Sequence, residues 1–234
     1  IQTFTIGFNT EGQNYNHYDE KAYAHIIAQR FGTEHHEIAV EPRVLDVLPK
    51  IIWAFDEPFA NVTAIPTWYL CQITRQYVTV ILSGTGGDES FGGYPRYLGA
   101  RLLMAYFALP TIIRESFLKR LALILPQRPD SYFILNRVKK FILGVNDNPS
   151  ETYCHWMSFL SDEERFALYT PLVRQELSHN FNSTTVLSHM NEMDENELLN
   201  RIFYTDLMTY LPDNLLTYCD RMASAHSLEM RVPF

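Results

Sequence analysis

The residues best suited to chemistry lie in one stretch, Leu82-Ser-Gly-Thr-Gly-Gly-Asp-Glu-Ser-Phe-Gly-Gly-Tyr94. Gly84, Gly86 and Gly87 let the backbone turn tightly and approach a ligand, with amide N–H groups turned toward anionic oxygens. A helix starting near Asp88 would add its positive end. Asp88 and Glu89 suit bare phosphate poorly, but they suit Mg²⁺ that is itself bound to phosphate. The chemistry suggested is nucleotide plus magnesium. A structural turn with Asp88 and Glu89 as ordinary acids of a helix start is the competing reading. No GK[ST] follows the glycines and the spacing is not GxGxxG, so neither a Walker loop nor a dinucleotide fingerprint is present.

The surrounding pattern supplies elements to carry this loop. Tyr77 to Leu82 is a nearly continuous apolar, β-branched run, as expected of a strand buried on both faces of a parallel sheet. Ligands of such sheets bind beyond the carboxyl ends of the strands, which is where Ser83 and Gly84 fall. Upstream, Ile1 to Phe8 reads as a strand. Asp19 can cap a helix with Ala22, Tyr23, Ile26, Ile27 and Phe31 at helical spacing, and Gly32 stops it. Glu37 to Val40 reads as a second strand, Val44 to Phe55 as a helix broken or restarted at Pro49, and Pro66 as the first residue of a helix to about Gln76. Strand and helix alternate, giving an α/β fold with a parallel sheet wrapped by helices.

Beyond Tyr97 the strand signal fades and a mostly helical region follows. Helices are expected over Ile112 to Leu125, Tyr132 to Leu143 with Gly144 as stop, and Ser150 to Phe159. Ser161 with Glu164, and Asp194 with Glu197, form capping-box patterns, the second ahead of a face of Leu198, Leu199, Ile202, Phe203 and Leu207. Pro126 to Asp130 and Asn146 to Pro149 read as loops. The expected division is an α/β part over 1–97 and a helical part over 98–234.

Bulk properties exclude several classes. A chain of 234 residues that is 47% hydrophobic can bury a sizeable core. A formal charge of −8 with no basic run gives no footprint for nucleic acid or an anionic membrane. No apolar run reaches the roughly 20 residues of a spanning helix. Cys71, Cys154 and Cys219 are too few and too widely spaced for a disulfide framework or zinc cage, and a reducing cytoplasm suits them.

The glycine-rich stretch resembles the SG[E/D]GxDExFGGY segment of asparagine synthetases. Further segments are similar to the same family in the same order: Phe4 to Phe8, Phe31 to His36, Phe55 to Phe59, Ala64 to Pro66, Gly93 to Tyr97 and Leu211 to Phe234. The resemblance covers nearly the whole chain. It implies an adenine nucleotide α-hydrolase-like fold and a ligase that converts aspartate and ATP to β-aspartyl-AMP and pyrophosphate. Ammonia from an N-terminal glutaminase domain absent from this chain then displaces AMP. ATP and Mg²⁺ are the implied cofactors, and a homodimer is allowed.

Residue by residue, the resemblance puts Ile6 and Gly7 at the adenine, Ser83 and Gly84 along the nucleotide, and Asp88 at Mg²⁺ and pyrophosphate with Glu89 beside it. Asp56 and Glu57 match an acidic corner of the cleft, and Asp220 and Arg221 its far wall, where an arginine can grip a carboxylate in a fork. Arg231 reads as structural. Thr85 stands where the family has an acid, and a threonine is no general base near neutral pH. Either Glu89 substitutes, or amide formation proceeds differently, or this copy is impaired. The resemblance also places a pyrophosphate loop before Ile1 and a lysine segment after Phe234, so the chain reads as a fragment that binds ATP weakly and synthesises nothing by itself. Rival readings are an amidotransferase or cyclase acting on another carboxylate, and a degenerate nucleotide-binding scaffold. His35, His36 and His226 lack metal-ligand spacing.

Overall fold

The computed structural model describes residues 1–8, 20–40, 43–125, 133–146, 148–160, 162–177, 185–193 and 197–233. They form two compact units, Ile1–Gly86 with Pro212–Phe234, and Gly87–Leu211. The division precedes the Tyr97 boundary expected from sequence, and the last segment returns to the first unit.

In the first unit, strand β1 (Gln2–Phe8) leads through helix α1 (Lys21–Phe31) to β2 (Glu34–Val40), which lies parallel to β1 with Ile6 opposite Ile38 and Gly7 opposite Ala39. Gly32 ends α1 at φ 61, a left-handed turn that glycine adopts without penalty. Asp19, the expected cap, lies outside the described residues. Helix α2 (Val44–Phe55) runs unbroken through Pro49, correcting the expected break. Its stripe Val47, Ile51, Phe55 is buried at helical spacing, and that packing holds the helix against the loss of one backbone bond at the proline. Helix α3 spans Ala64–Thr74, so Pro66 sits inside the first turn, where backbone N–H groups have no partner to lose.

Strand β3 is only Val80–Leu82, shorter than the run from Tyr77, and Val80 and Leu82 are exposed rather than buried. It pairs in parallel with β4 (Glu229–Arg231). Among the described residues the expected single sheet is therefore present as two two-stranded parallel ladders. A strand is buried on both faces only when neighbouring strands and helices cover it. For the same reason Tyr23, Ile26, Ile27 and Phe31 of α1 are largely exposed, although their spacing does make a helix. Strand β4 was not foreseen, because three residues of Glu-Met-Arg carry no apolar run.

The regular elements among the described residues of the second unit are helices. Helix α4 (Gly87–Phe91) and α5 (Pro95–Phe107) open it, and a wide-turned π segment (Ile113–Leu118) continues into α6 (Lys119–Ile124). Helix α7 (Phe133–Leu143) stops at Gly144, and α8 (Pro149–Met157) is capped by Asn148, whose Oδ1 accepts from the Glu151 amide at 2.8 Å. Tyr132, Ser161 and Asp194 lie outside the described residues, as does the Pro126 to Asp130 loop. Later come α9 (Asp162–Leu168), α10 (Pro171–Leu177), α11 (Thr185–Glu192) and α12 (Leu198–Thr205), which runs on as a π segment, Asp206–Leu216, into α13 (Thr217–Ser224) of the first unit. The core of the second unit joins Leu103 and Tyr106 of α5, Tyr153 of α8, Met190 of α11 and Leu198 and Ile202 of α12.

Candidate nucleotide site

In the first unit, the Ser83 amide extends the β3–β4 ladder by donating to the Arg231 carbonyl at 2.9 Å, and the chain then turns. The Thr85 amide donates to Ser83 Oγ at 3.0 Å. The Thr85 hydroxyl is shared with Ser83 Oγ at 2.6 Å and lies 3.4 Å from Cys219 Sγ. These bonds make Thr85 a brace of the turn. Gly86 takes φ 95, which a side-chain-bearing residue rarely adopts. Gly84 is different: its φ lies outside the left-handed region, and an added Cβ would meet no atom within 4 Å. The protein itself does not require glycine there, so the position leaves room for something to approach.

Ile6 and Gly7 lie near the end of β1, Ile6 partly buried and Gly7 buried, and the Lys21 stem lies across Gly7, 2.4 Å from where a Cβ would stand. Lys21 also pairs with Glu37 at 3.3 Å. Asp56 caps α2 in a left-handed conformation at φ 62, and its Oδ2 lies 3.8 Å from Arg221 Nη1. Glu57 and Asp220 are exposed. Arg221 borders an open groove of about 610 Å³ with Lys50, Trp53, Trp68 and Ser224, so two cations line a largely apolar surface. The structure thus brings Asp56 and Arg221 together. Cys71 and Cys219 are buried, and burial, followed by the neighbouring Cys219, pushes the Cys71 thiol up to about 12.

In the second unit, Asp88 is exposed on α4 and its carbonyl accepts from the Gly92 and Gly93 amides at 2.9 and 3.0 Å. Gly87 resembles Gly84, with no atom within 4 Å of an added Cβ. Glu89 is only 1% exposed. Tyr94 donates to Glu89 Oε1 at 2.5 Å, whereas Glu89 Oε2 is buried without a hydrogen-bond partner. Burial, then the bond to Glu89, raises the Tyr94 phenol pKa, which keeps Tyr94 a donor.

Behind this turn is a network that sequence reasoning missed. Arg96 stacks over Tyr94 and Tyr210 at 4.1 and 4.4 Å, and its Nη2 and Nε donate to Asp206 Oδ2 at 2.7 and 3.1 Å. Tyr97 donates to the same oxygen at 2.6 Å and Tyr153 to Oδ1. Asp206 is fully buried. Its one signal in the sequence was an acid within a long apolar helix, since buried charge needs partners.

Among the described residues, no group of three or more His, Cys, Asp or Glu forms a metal cage. His226 Nδ1 lies 2.9 Å from the Met222 carbonyl, and His35 shares a bond with Thr3. Exposed Asp88 does fit a Mg²⁺ that reaches the protein through nucleotide phosphates, for which one or two carboxylates suffice. No helix among the described residues is long and apolar enough to cross a membrane.

The family model for asparagine synthase matches residues 1–234. The chain belongs to the asparagine synthase family. It is 27% identical over its full length to asparagine synthetase [glutamine-hydrolyzing] 1 of Bacillus subtilis, covering 34% of that protein. It is 31% identical over its full length to putative asparagine synthetase [glutamine-hydrolyzing] 2 of Methanocaldococcus jannaschii, covering 42%, and 30% identical over 99% of its length to a putative asparagine synthetase of Mycobacterium bovis, covering 33%. The chain thus spans between a third and two fifths of these relatives. The family is one of ATP-using, amide-forming ligases, and the resemblance carried by the Leu82–Tyr94 loop names the same family.

Proposed function

We propose that this chain is the nucleotide-handling part of an adenine nucleotide α-hydrolase-like domain in a glutamine-dependent asparagine synthetase. In this reading an aspartate side-chain carboxylate attacks the α-phosphorus of ATP, pyrophosphate leaves, and ammonia displaces AMP from the mixed anhydride. Ammonia comes from a glutaminase domain elsewhere in the longer protein. The observation that carries the reading is the open space over Gly84, a glycine that no contact in the fold requires, in a loop leaving a parallel strand. Backbone amides there can approach phosphate oxygens closely.

Ile6 and Gly7 then face adenine, and Ser83 and Gly84 run along the nucleotide. Asp88 orients Mg²⁺ and pyrophosphate, and bound Mg²⁺ would neutralise charge as pyrophosphate leaves. Asp56, Glu57, Asp220 and Arg221 form the aspartate side, with the Arg221 guanidinium gripping a carboxylate. Buried Glu89 orders the turn beside Asp88. Thr85, tied to Ser83 and Cys219, takes no proton. That tie also favours a second reading, in which the same adenylation serves a different acceptor carboxylate. ATP–pyrophosphate exchange by the full-length protein separates them: aspartate-dependent exchange supports the first, exchange with another acid the second, and no exchange with any acid refutes both.

A further inference from the structure

The glycine pair that ends α4 has a role distinct from the glycines at its start. Gly92 and Gly93 both return their amides to the Asp88 carbonyl, closing the turn on the residue that opens it. Gly92 takes φ 74 and needs glycine for its backbone. Gly93 lies outside the left-handed region, and its requirement is purely one of space. A Cβ built on it would stand 1.9 Å from Asp88 Oδ1 and 2.8 Å from Asp88 Cγ. The Asp88 carboxylate is folded against the bare Cα of Gly93, in volume that any side chain would fill. Next in sequence, Glu89 is pinned by Tyr94, and Tyr94 lies under Arg96, itself anchored on Asp206. The backbone just after Asp88 is therefore held by a buried group, Glu89, and Gly93 limits which way the Asp88 side chain points.

We propose that Gly93 is a positioning residue that seats the Asp88 carboxylate in its metal-orienting direction. The metal role of Asp88 rests on the proposed function; the seat itself rests on geometry. Gly93 is exposed and its φ suits any residue, so alanine there displaces chiefly the carboxylate, with a smaller adjustment where its methyl would stand 3.2 Å from Asp88 Cα.

The test uses the full-length protein and its Gly93→Ala, Asp88→Asn and doubly substituted forms, with Mn²⁺ binding in the presence of ATP read by electron paramagnetic resonance. Moving a group that orients a metal ligand costs about ten-fold in metal affinity or more. Gly93→Ala is expected to weaken Mn²⁺ binding by about ten-fold with the melting temperature within about 2 °C of wild type, and to add nothing once Asp88 is Asn. Unchanged Mn²⁺ binding in Gly93→Ala, or an equal loss with and without Asp88, overturns the proposal. If Asp88→Asn itself leaves Mn²⁺ binding untouched, the metal reading of Asp88 fails. The seat is then decided by a crystal structure of Gly93→Ala, where a rotated Asp88 carboxylate supports it and an unmoved one overturns it.

Discussion

Replacing Asp206 by alanine is expected to loosen the whole second unit. Asp206 is fully buried and accepts from both Nε and Nη2 of Arg96, from Tyr97 and from Tyr153. Its removal strands a guanidinium whose side chain is only 17% exposed, together with two buried phenols. Breaking a buried ion pair from one side costs about 3–5 kcal/mol, because the remaining charge has lost its compensation. Each orphaned hydroxyl adds roughly 1 kcal/mol or more. A combined loss of about 5–7 kcal/mol is a rise of roughly four orders of magnitude in the open population, since about 1.4 kcal/mol is ten-fold. Hydrogen exchange of α5 and α12 amides in the native protein reads that population directly. Adding Arg96→Met should return at least about 2 kcal/mol, because contacting residues are not additive. Exchange within about five-fold of wild type in Asp206→Ala, or strictly additive effects in the double variant, would show that the network does not hold the unit together.

Other outcomes follow from the same geometry. Gly84→Ala should leave the melting temperature unchanged and weaken ATP binding at least ten-fold, as measured by calorimetry; full ATP affinity would mean that nothing approaches that backbone. Thr85→Val removes a hydroxyl engaged within its own turn, so it should cost about 1 kcal/mol of stability and leave the rate of amide formation within about three-fold. Arg221→Ala breaks only an exposed, 3.8 Å contact with Asp56. It should therefore cost under about 1 kcal/mol of stability while raising KM for the acid substrate several-fold in steady-state assays. The Cys71 thiol, raised from 9.0 to about 12, is neutral when folded. Its contribution to stability is complete below pH 9 and is lost as pH rises toward 12, so Cys71 should resist thiol reagents at pH 8 and alkaline melting should begin above pH 9.

Much of the fold was legible because its signals are local. Gly32 and Gly144 stop helices where expected, and β1 follows its alternation. What failed depended on partners. The apolar run before Ser83 and the face of α1 predict burial that only neighbouring layers can supply, and in the described residues Leu82 and Phe31 remain exposed. Strand β4 exists because β3 lies beside it, a non-local fact that Glu-Met-Arg does not encode. At the candidate site, residue type singles out the glycines and Asp88 as candidates. That Glu89 is buried while adjacent Asp88 is exposed was not, because it turns on Tyr94 folding back by five positions. The Arg96–Asp206 pair spans 110 positions and leaves no local pattern.

The central claim is that carboxylate activation proceeds through adenylation at this loop. Aspartate labelled with ¹⁸O in its side-chain carboxylate, supplied with ATP, glutamine and the full-length protein, tests it most directly. The account predicts one labelled oxygen in AMP for each asparagine formed, with both lost in Asp88→Asn. Label appearing in inorganic phosphate with release of ADP, or asparagine formed without label in AMP, would contradict it.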